Sequence, residues 1–302
     1  MKWTDVGSLL SIAAVWGASY LFMRMGAGEF GPVVLAGLRS AGAALLLLPL
    51  LAWRRGGLAD LHTHWKDIAI VGVSNGAIPS VLFSFAALLI PAGSSALYTA
   101  ATPLFTAAIG WIWLRDRLDS CRVAGLVLGF IGVVWLVWDG LGAGKSQGGV
   151  WAALACLSSA MLYGFSGNFI KRRLAAAHPM SVAAGSQLAA ALILAAPTAI
   201  QWPAHTPSAR AWWALAMLAA LCTAVAYVVF FRLITRIGAP RAMTVTFLIP
   251  AFGVLWGALF LGEVFTRDMA IGCAIILAGT ALTTGLVRPG LFSRRATAVT
   301  QG

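Results

Sequence analysis

GSSALYTAATPLFTAAIGWIWLRDRLDSCRVAGLVLGFIGVVWLV, residues 93–137, decides how the whole chain is read, because its skeleton occurs twice. The skeleton is Pro103, Asp116, Gly125 and Gly132, and it returns as Pro250, Glu263, Gly272 and Gly279, each pair 147 residues apart. Upstream the same offset joins Trp16 to Tyr163, Gly17 to Gly164, Ser19 to Ser166 and Pro32 to Pro179. Gly93 meets Gly238 after a slip of two. Eight pairs at one offset over most of the chain mark an internal duplication, and a repeat of this kind constrains everything read after it.

The repeated unit is apolar. Of 302 residues, 60% are hydrophobic and 10% charged, with a mean hydropathy of +0.89, outside the usual soluble range. The apolar residues fall in blocks that match a bilayer crossing of about 20 residues. Ten spans follow, over 4–24, 32–52, 67–89, 93–114, 120–138, 149–170, 180–200, 211–235, 239–262 and 266–287. Pro32 and Pro179 stand where proline opens a helix, since its missing N–H would be unpaired there anyway. The expected organisation is a five-span unit over 1–140, a Gly-rich linker over 141–149, a second unit over 150–290 and a cytoplasmic tail over 291–302. The first block could pass for a signal peptide, but its Trp16-Gly17 pair is echoed in the second half and so belongs to the fold.

The net charge of +12 does not point to nucleic acid, which requires a contiguous basic face; here Lys and Arg are dispersed in short clusters. Sixteen fall in one set of loops, at residues 2, 54, 55, 66, 115, 117, 122, 171–173, 232, 236, 241, 288, 294 and 295. Four fall in the other, at 24, 145, 210 and 267. Such an excess marks cytoplasmic loops and places both termini inside. Eleven of the thirteen tryptophans lie near span ends, where amphipathic rings sit at the headgroups. Five spans per unit is an odd number, so the second unit must cross in the opposite sense to the first. Inverted repeats of this kind are a plan of secondary transporters, with the solute held near the midplane. Cys121, Cys156, Cys222 and Cys273 are far apart, show no metal-ligand spacing, and read as packing residues.

On these residues the chain resembles an EamA-type permease of the drug/metabolite transporter superfamily. The resemblance rests on the aromatic-Gly pair opening each half and on the Pro-to-acid-to-Gly-Gly skeleton closing it, and it covers residues 10–286. The first copy departs at Arg115-Asp116, where Gly-Glu is usual and where the second copy has Gly262-Glu263. The resemblance implies ten helices in two five-helix repeats around a central cavity, and export of amino acids, related metabolites or toxic small molecules.

Arg39 is the most informative residue. It lies about seven residues, or roughly 10 Å, inside its span, where arginine is costly and faces a bundle interior or a wet cavity. Its guanidinium suits a carboxylate; the alternative is a side chain that snorkels outward to Glu29 or bonds backbone carbonyls. All nine acids lie at or beyond span ends. With no carboxylate at mid-depth, proton-coupled export of cations is disfavoured, and neutral, zwitterionic or anionic solutes are favoured. Trp16, Tyr20, Asn75, Tyr98, Tyr163, Gln187 and Tyr227 are the other deep polar or aromatic positions; rings with a few polar tips suit small organic solutes, or they bond across helices as packing contacts. Pro103 and Pro250 are hinge candidates. Asp116 and Glu263 are expected to cap the following helix, with gating as the other use. The stripe of Gly125, Gly129 and Gly132, echoed by Gly272 and Gly279, suits close helix packing, or a homodimer contact. The His62-to-Asp67 segment has an acyltransferase-like spacing but sits in a short loop without room for a donor pocket, so no catalytic residue is assigned.

The reading is an all-α integral membrane protein of ten helices in two inverted five-helix repeats: a multi-pass bacterial inner-membrane permease. Its expected partners are the lipid bilayer and a small-molecule substrate, with neither a cofactor nor a metal. It would export amino acids or related metabolites by alternating access. The rivals are an intramembrane enzyme on a lipid-linked substrate and a cation-coupled transporter of another five-plus-five fold.

Overall fold

The computed structural model describes residues 3–53, 57–116, 119–141 and 147–285. In chain order the first half holds α1 (Trp3–Phe30), α2 (Pro32–Ala52), α3 (Gly57–Thr63), α4 (Trp65–Val71), a π-helical segment (Gly72–Ala77), α5 (Ile78–Leu89), α6 (Ala92–Thr99), α7 (Thr102–Leu114) and α8 (Ser120–Leu141). The second half holds α9 (Gln147–Arg173), α10 (Pro179–Ile200), α11 (Ala209–Ala219), a second π-helical segment (Ala220–Val225), α12 (Ala226–Ile237), α13 (Ala239–Ala242), α14 (Val245–Leu261) and α15 (Arg267–Thr284). The tail over 291–302, most of the linker, and Lys2, Arg54, Arg55, Arg117, Lys145, Arg288, Arg294 and Arg295 lie outside the described residues.

Among the described residues, nine helical runs are long and apolar enough to cross a membrane, and Val245–Leu261 is apolar but shorter. The runs begin and end close to the spans read from sequence, with two differences. The first helix continues to Phe30 rather than stopping at 24, because its polar end is held by tertiary partners. Arg24 donates from Nη1 to the Ala87 carbonyl on α5, and Glu29 accepts from the Ser208 N–H and hydroxyl. The ninth span is divided into α13 and α14, with 3₁₀-type bonds from Thr244 to Arg241 and from Thr246 to Met243 between them.

Helix faces divide between protein and an apolar exterior. On α8, Val127, Ile131, Val134 and Trp138 are exposed, whereas Leu126, Val133 and Leu136 are buried. Both faces are apolar, which suits a helix with lipid on its outside. The inner face packs closely on α15, where the glycine stripe is used up. A Cβ on Gly279 would stand 2.5 Å from Gly129 Cα, and one on Gly132 would stand 2.8 Å from the Ile276 nitrogen.

Packing between the halves comes in exchangeable pairs. α8 lies along α15, and α2 along α10. α1 packs on α14, as α9 packs on α7; the run α4–π–α5 lies along α9, as α11–π–α12 lies along α1. The backbone repeats itself in detail. The two π segments begin at residues 72 and 220, 148 apart. Gly17 packs on the Phe252–Gly253 backbone and Gly164 on Phe105–Thr106, where an added Cβ would come within 2.9 Å of the Gly253 nitrogen and 2.8 Å of the Thr106 nitrogen respectively. α7 and α14 both end on a left-handed residue whose N–H returns to a glycine carbonyl, Arg115 to Gly110 and Gly262 to Gly257. Arg115 is the one non-glycine with positive φ (57°) among the described residues.

A guanidinium site between the halves

Pro32 opens α2 and sets Arg39 two turns in, half-buried and facing the second π segment. Its Nε donates to Thr223 Oγ1 at 3.1 Å, and that hydroxyl donates to the Leu218 carbonyl at 2.8 Å. The bond to Leu218 spans five residues, the reach of a π turn, and π turns are frequent at functional sites. Tyr20, Tyr163, Tyr227 and Cys222 all lie within electrostatic reach of the guanidinium. Among the described residues no carboxylate pairs with it. The outward route to Glu29 is not taken, since Glu29 is held by Ser208.

Aromatic rings flank this charge. Trp16 packs on Phe230 (ring centroids 4.9 Å apart) and meets Tyr227 edge-on at 6.4 Å. Tyr20 meets Phe83 edge-on at 5.4 Å, and Phe83 stacks on Tyr163 at 6.0 Å. Asn75 Nδ2 donates to the Tyr227 hydroxyl at 3.3 Å, and Gln187 also hydrogen-bonds that hydroxyl. The Tyr20 hydroxyl shares a 2.5 Å hydrogen bond with Thr99 Oγ1. Arg39, Trp16, Asn75, Tyr163 and Tyr227 keep accessible surface, while Tyr20 and Gln187 are buried.

Seven of the eight expected cavity residues therefore join one network drawn from both halves. The eighth, Tyr98, is buried on α6, where its hydroxyl donates to the Leu136 carbonyl on α8 at 3.3 Å, and its neighbour Thr99 bonds the Tyr20 hydroxyl. Thr99, Thr223, Phe83 and Phe230 were not singled out from the sequence. Thr223 had a signal, for it stands 148 residues after Asn75 and fills the same fourth place of its π segment. A second pairing obeys the same arithmetic. Ser166 and Ser74 hydroxyls are 2.6 Å apart, and their equivalents, Ser19 and Cys222, also hydrogen-bond each other. Arg39 breaks the rule, because its equivalent is Ser186, which turns its hydroxyl back to the Ala183 carbonyl.

The two skeleton acids bond across the halves instead of capping the next helix. Glu263 accepts from the Ala92 and Gly93 N–H groups at 2.6 and 2.9 Å, capping α6 in the first half; Thr266 caps α15. Asp116 accepts from Lys171 Nζ of α9 at 3.0 Å. The two prolines differ in setting. Pro103 follows a break at Ala100–Ala101 between α6 and α7, whereas Pro250 lies inside α14. Asp67 pairs with Arg173 (3.5 Å), and His62 sits in the last turn of the short α3.

The sequence matches the EamA-like transporter family over residues 6–138 and again over 150–285. Relatives include the uncharacterized transporter YoaV of Bacillus subtilis (strain 168), 23% identical over 95% of this chain and 97% of that protein. The uncharacterized inner membrane transporter YedA of Escherichia coli (strain K12) is 25% identical over 92% of this chain and 90% of its own length. A probable amino-acid metabolite efflux pump of Salmonella typhimurium is 26% identical over 89% and 91%. A solved crystal structure with 20% identity superposes with a TM-score of 0.65, covering 98% of this chain and 99% of the other, a likeness of fold.

Proposed function

Since the chain belongs to the EamA-like transporter family, a multi-pass membrane protein of transporter type, we propose that it exports amino acids or related metabolites from the bacterial cytoplasm by alternating access. In this reading the nine long helical runs and the α13–α14 pair make ten spans. They divide into two inverted five-helix repeats, 1–140 and 150–290, with both termini cytoplasmic. The exchangeable packing between halves, the matched π segments and the sixteen-to-four division of Lys and Arg support it. The Salmonella relative, a probable amino-acid metabolite efflux pump, supports the solute class.

The observation that carries the reading is the unpaired Arg39 guanidinium set among tyrosines between the halves. A guanidinium offers a forked set of donors matched to a carboxylate, and a half-buried one without a counter-charge is poised for an anionic group. Rocking of one repeat on the other would have to break the cross-half bonds of Glu263 and Asp116, which gives those acids a gating role. The purified protein in proteoliposomes should take up labelled amino acids or their carboxylate derivatives. Arg39→Ala should abolish that uptake by 10-fold or more while the protein still elutes as a folded species. Uptake by Arg39→Ala at the wild-type rate would remove Arg39 from the solute path.

A further inference from the structure

Resting on that permease reading, we infer that the solute crosses as a net monoanion: a carboxylate with an apolar or aromatic tail and no free ammonium group. It moves by electrogenic uniport, so the membrane potential, negative inside, drives it outward without a coupling ion.

The charge of the site leads to this class. Arg39 is the single formal charge in the network, because the duplication places Ser186, a neutral residue, at its equivalent. Its bonded partner is the Thr223 hydroxyl, and the groups around it are phenols and rings. A monoanion neutralises this site on binding. A zwitterion does not: its carboxylate would meet the guanidinium, but its ammonium would enter low-dielectric surroundings that already hold a cation and, among the described residues, offer no carboxylate. Like charges at short range are costly there. Acylating or replacing the amine removes that cost and leaves the carboxylate contact intact. The remainder of such a solute would lie against Trp16, Tyr227 and Phe230, whose rings offer an apolar wall.

The same arrangement decides what else moves. No described carboxylate stands near Arg39, and phenols, with an ordinary pKa near 10, stay protonated in the physiological range. Among the described residues, no acid around the solute is therefore placed to carry a proton with it, and a sodium ion would meet the guanidinium's like charge with no described carboxylate to offset it. Arg39 itself remains with the protein, and any charge it shifts across the field in the loaded step is returned when the empty carrier resets. The net charge translocated per cycle is that of the solute. For one charge, about 59 mV corresponds to a tenfold concentration ratio, and an inside-negative potential favours the exit of anions.

The test uses the full-length protein in proteoliposomes, with a potassium gradient and valinomycin setting a potential worth tenfold for one charge. N-acetylphenylalanine, phenyllactate and 2-oxoisocaproate are compared with phenylalanine, always against protein-free vesicles. Protein-dependent flux of the three anions is expected, at least about 10-fold faster than that of phenylalanine. Their steady distribution should favour the positive side tenfold, should reverse with the sign of the potential, and should not change when sodium is removed or the pH gradient collapsed. Because it is a distribution, this readout does not depend on the orientation of the protein in the vesicle. Arg39→Gln should abolish anion flux, and Arg39→Lys should restore part of it. Flux of phenylalanine with refusal of the anions, or anion flux indifferent to the potential, would overturn the inference and leave the permease reading standing. No flux of any anion would also overturn it. If a screen of zwitterionic amino acids failed as well, the permease reading would fall with it.

Discussion

Arg115 and Gly262 show how much one backbone angle matters. Both close a span with left-handed φ, 57° and 64°, and both send their N–H to a glycine carbonyl five residues back. Glycine adopts this conformation without a Cβ clash, whereas another residue loses about 1–2 kcal/mol. Replacing Arg115 by glycine would relieve that cost but also loosen the unfolded chain by about 0.4–1 kcal/mol. Arg115→Gly is therefore expected to stabilise the protein by about 0.5–1 kcal/mol, a small rise in Tm for the detergent-solubilised protein. An unchanged or lower Tm would show that the arginine side chain compensates. Arg39 is a departure of a different kind, one where the copies differ in charge and not in backbone. At the equivalent position the second copy has Ser186, so only one side of the interior carries the cation.

At the scale of elements, the third and eighth runs are each interrupted at their centre by a π segment, which places Asn75 and Thr223 on the network. A π turn lodges an extra residue and shifts the helical faces on either side of it. Hydropathy does not report it consistently: Gly72–Ala77 (GVSNGA) is more polar than its flanks, whereas Ala220–Val225 (ALCTAV) is as apolar as its own. The cap on α6 is likewise a tertiary contact. A carboxylate at a helix N-terminus satisfies N–H groups that have no partner within the helix, and Glu263 supplies it across 171 residues of chain. Glu263→Ala is expected to cost about 0.5–2 kcal/mol, the usual loss on removing a cap, and to lower Tm accordingly. Glu263→Gln, which keeps an acceptor oxygen, should cost less. Equal stability of wild type and Glu263→Ala would mean that the α6 N-terminus finds another acceptor.

At the scale of the whole molecule, the proposed topology of two inverted five-span repeats puts the loops after Trp53 and after Lys171 on one face of the bilayer. Reporter tags placed in those two loops should both report the cytoplasm; tags on opposite faces would end the inverted-repeat reading. The sequence by itself determined the helical class, the runs and the 147-residue duplication. Each is written in local hydropathy or in residue spacing, and a bilayer leaves few foldable options for apolar runs. It also marked Arg39, since a lone charge within an apolar block must have a use or a partner. Only the tertiary structure decided where these side chains go. It sent Tyr98 to the Leu136 carbonyl and Thr99 to Tyr20, although the two are adjacent in sequence. It tied Glu263 to α6 and not to the helix that follows it. It also used the glycine stripe to seat α8 on α15 within the chain. The reason is physical: a helix fixes the direction of each side chain about its own axis, but which neighbour stands there depends on packing between segments well over a hundred residues apart.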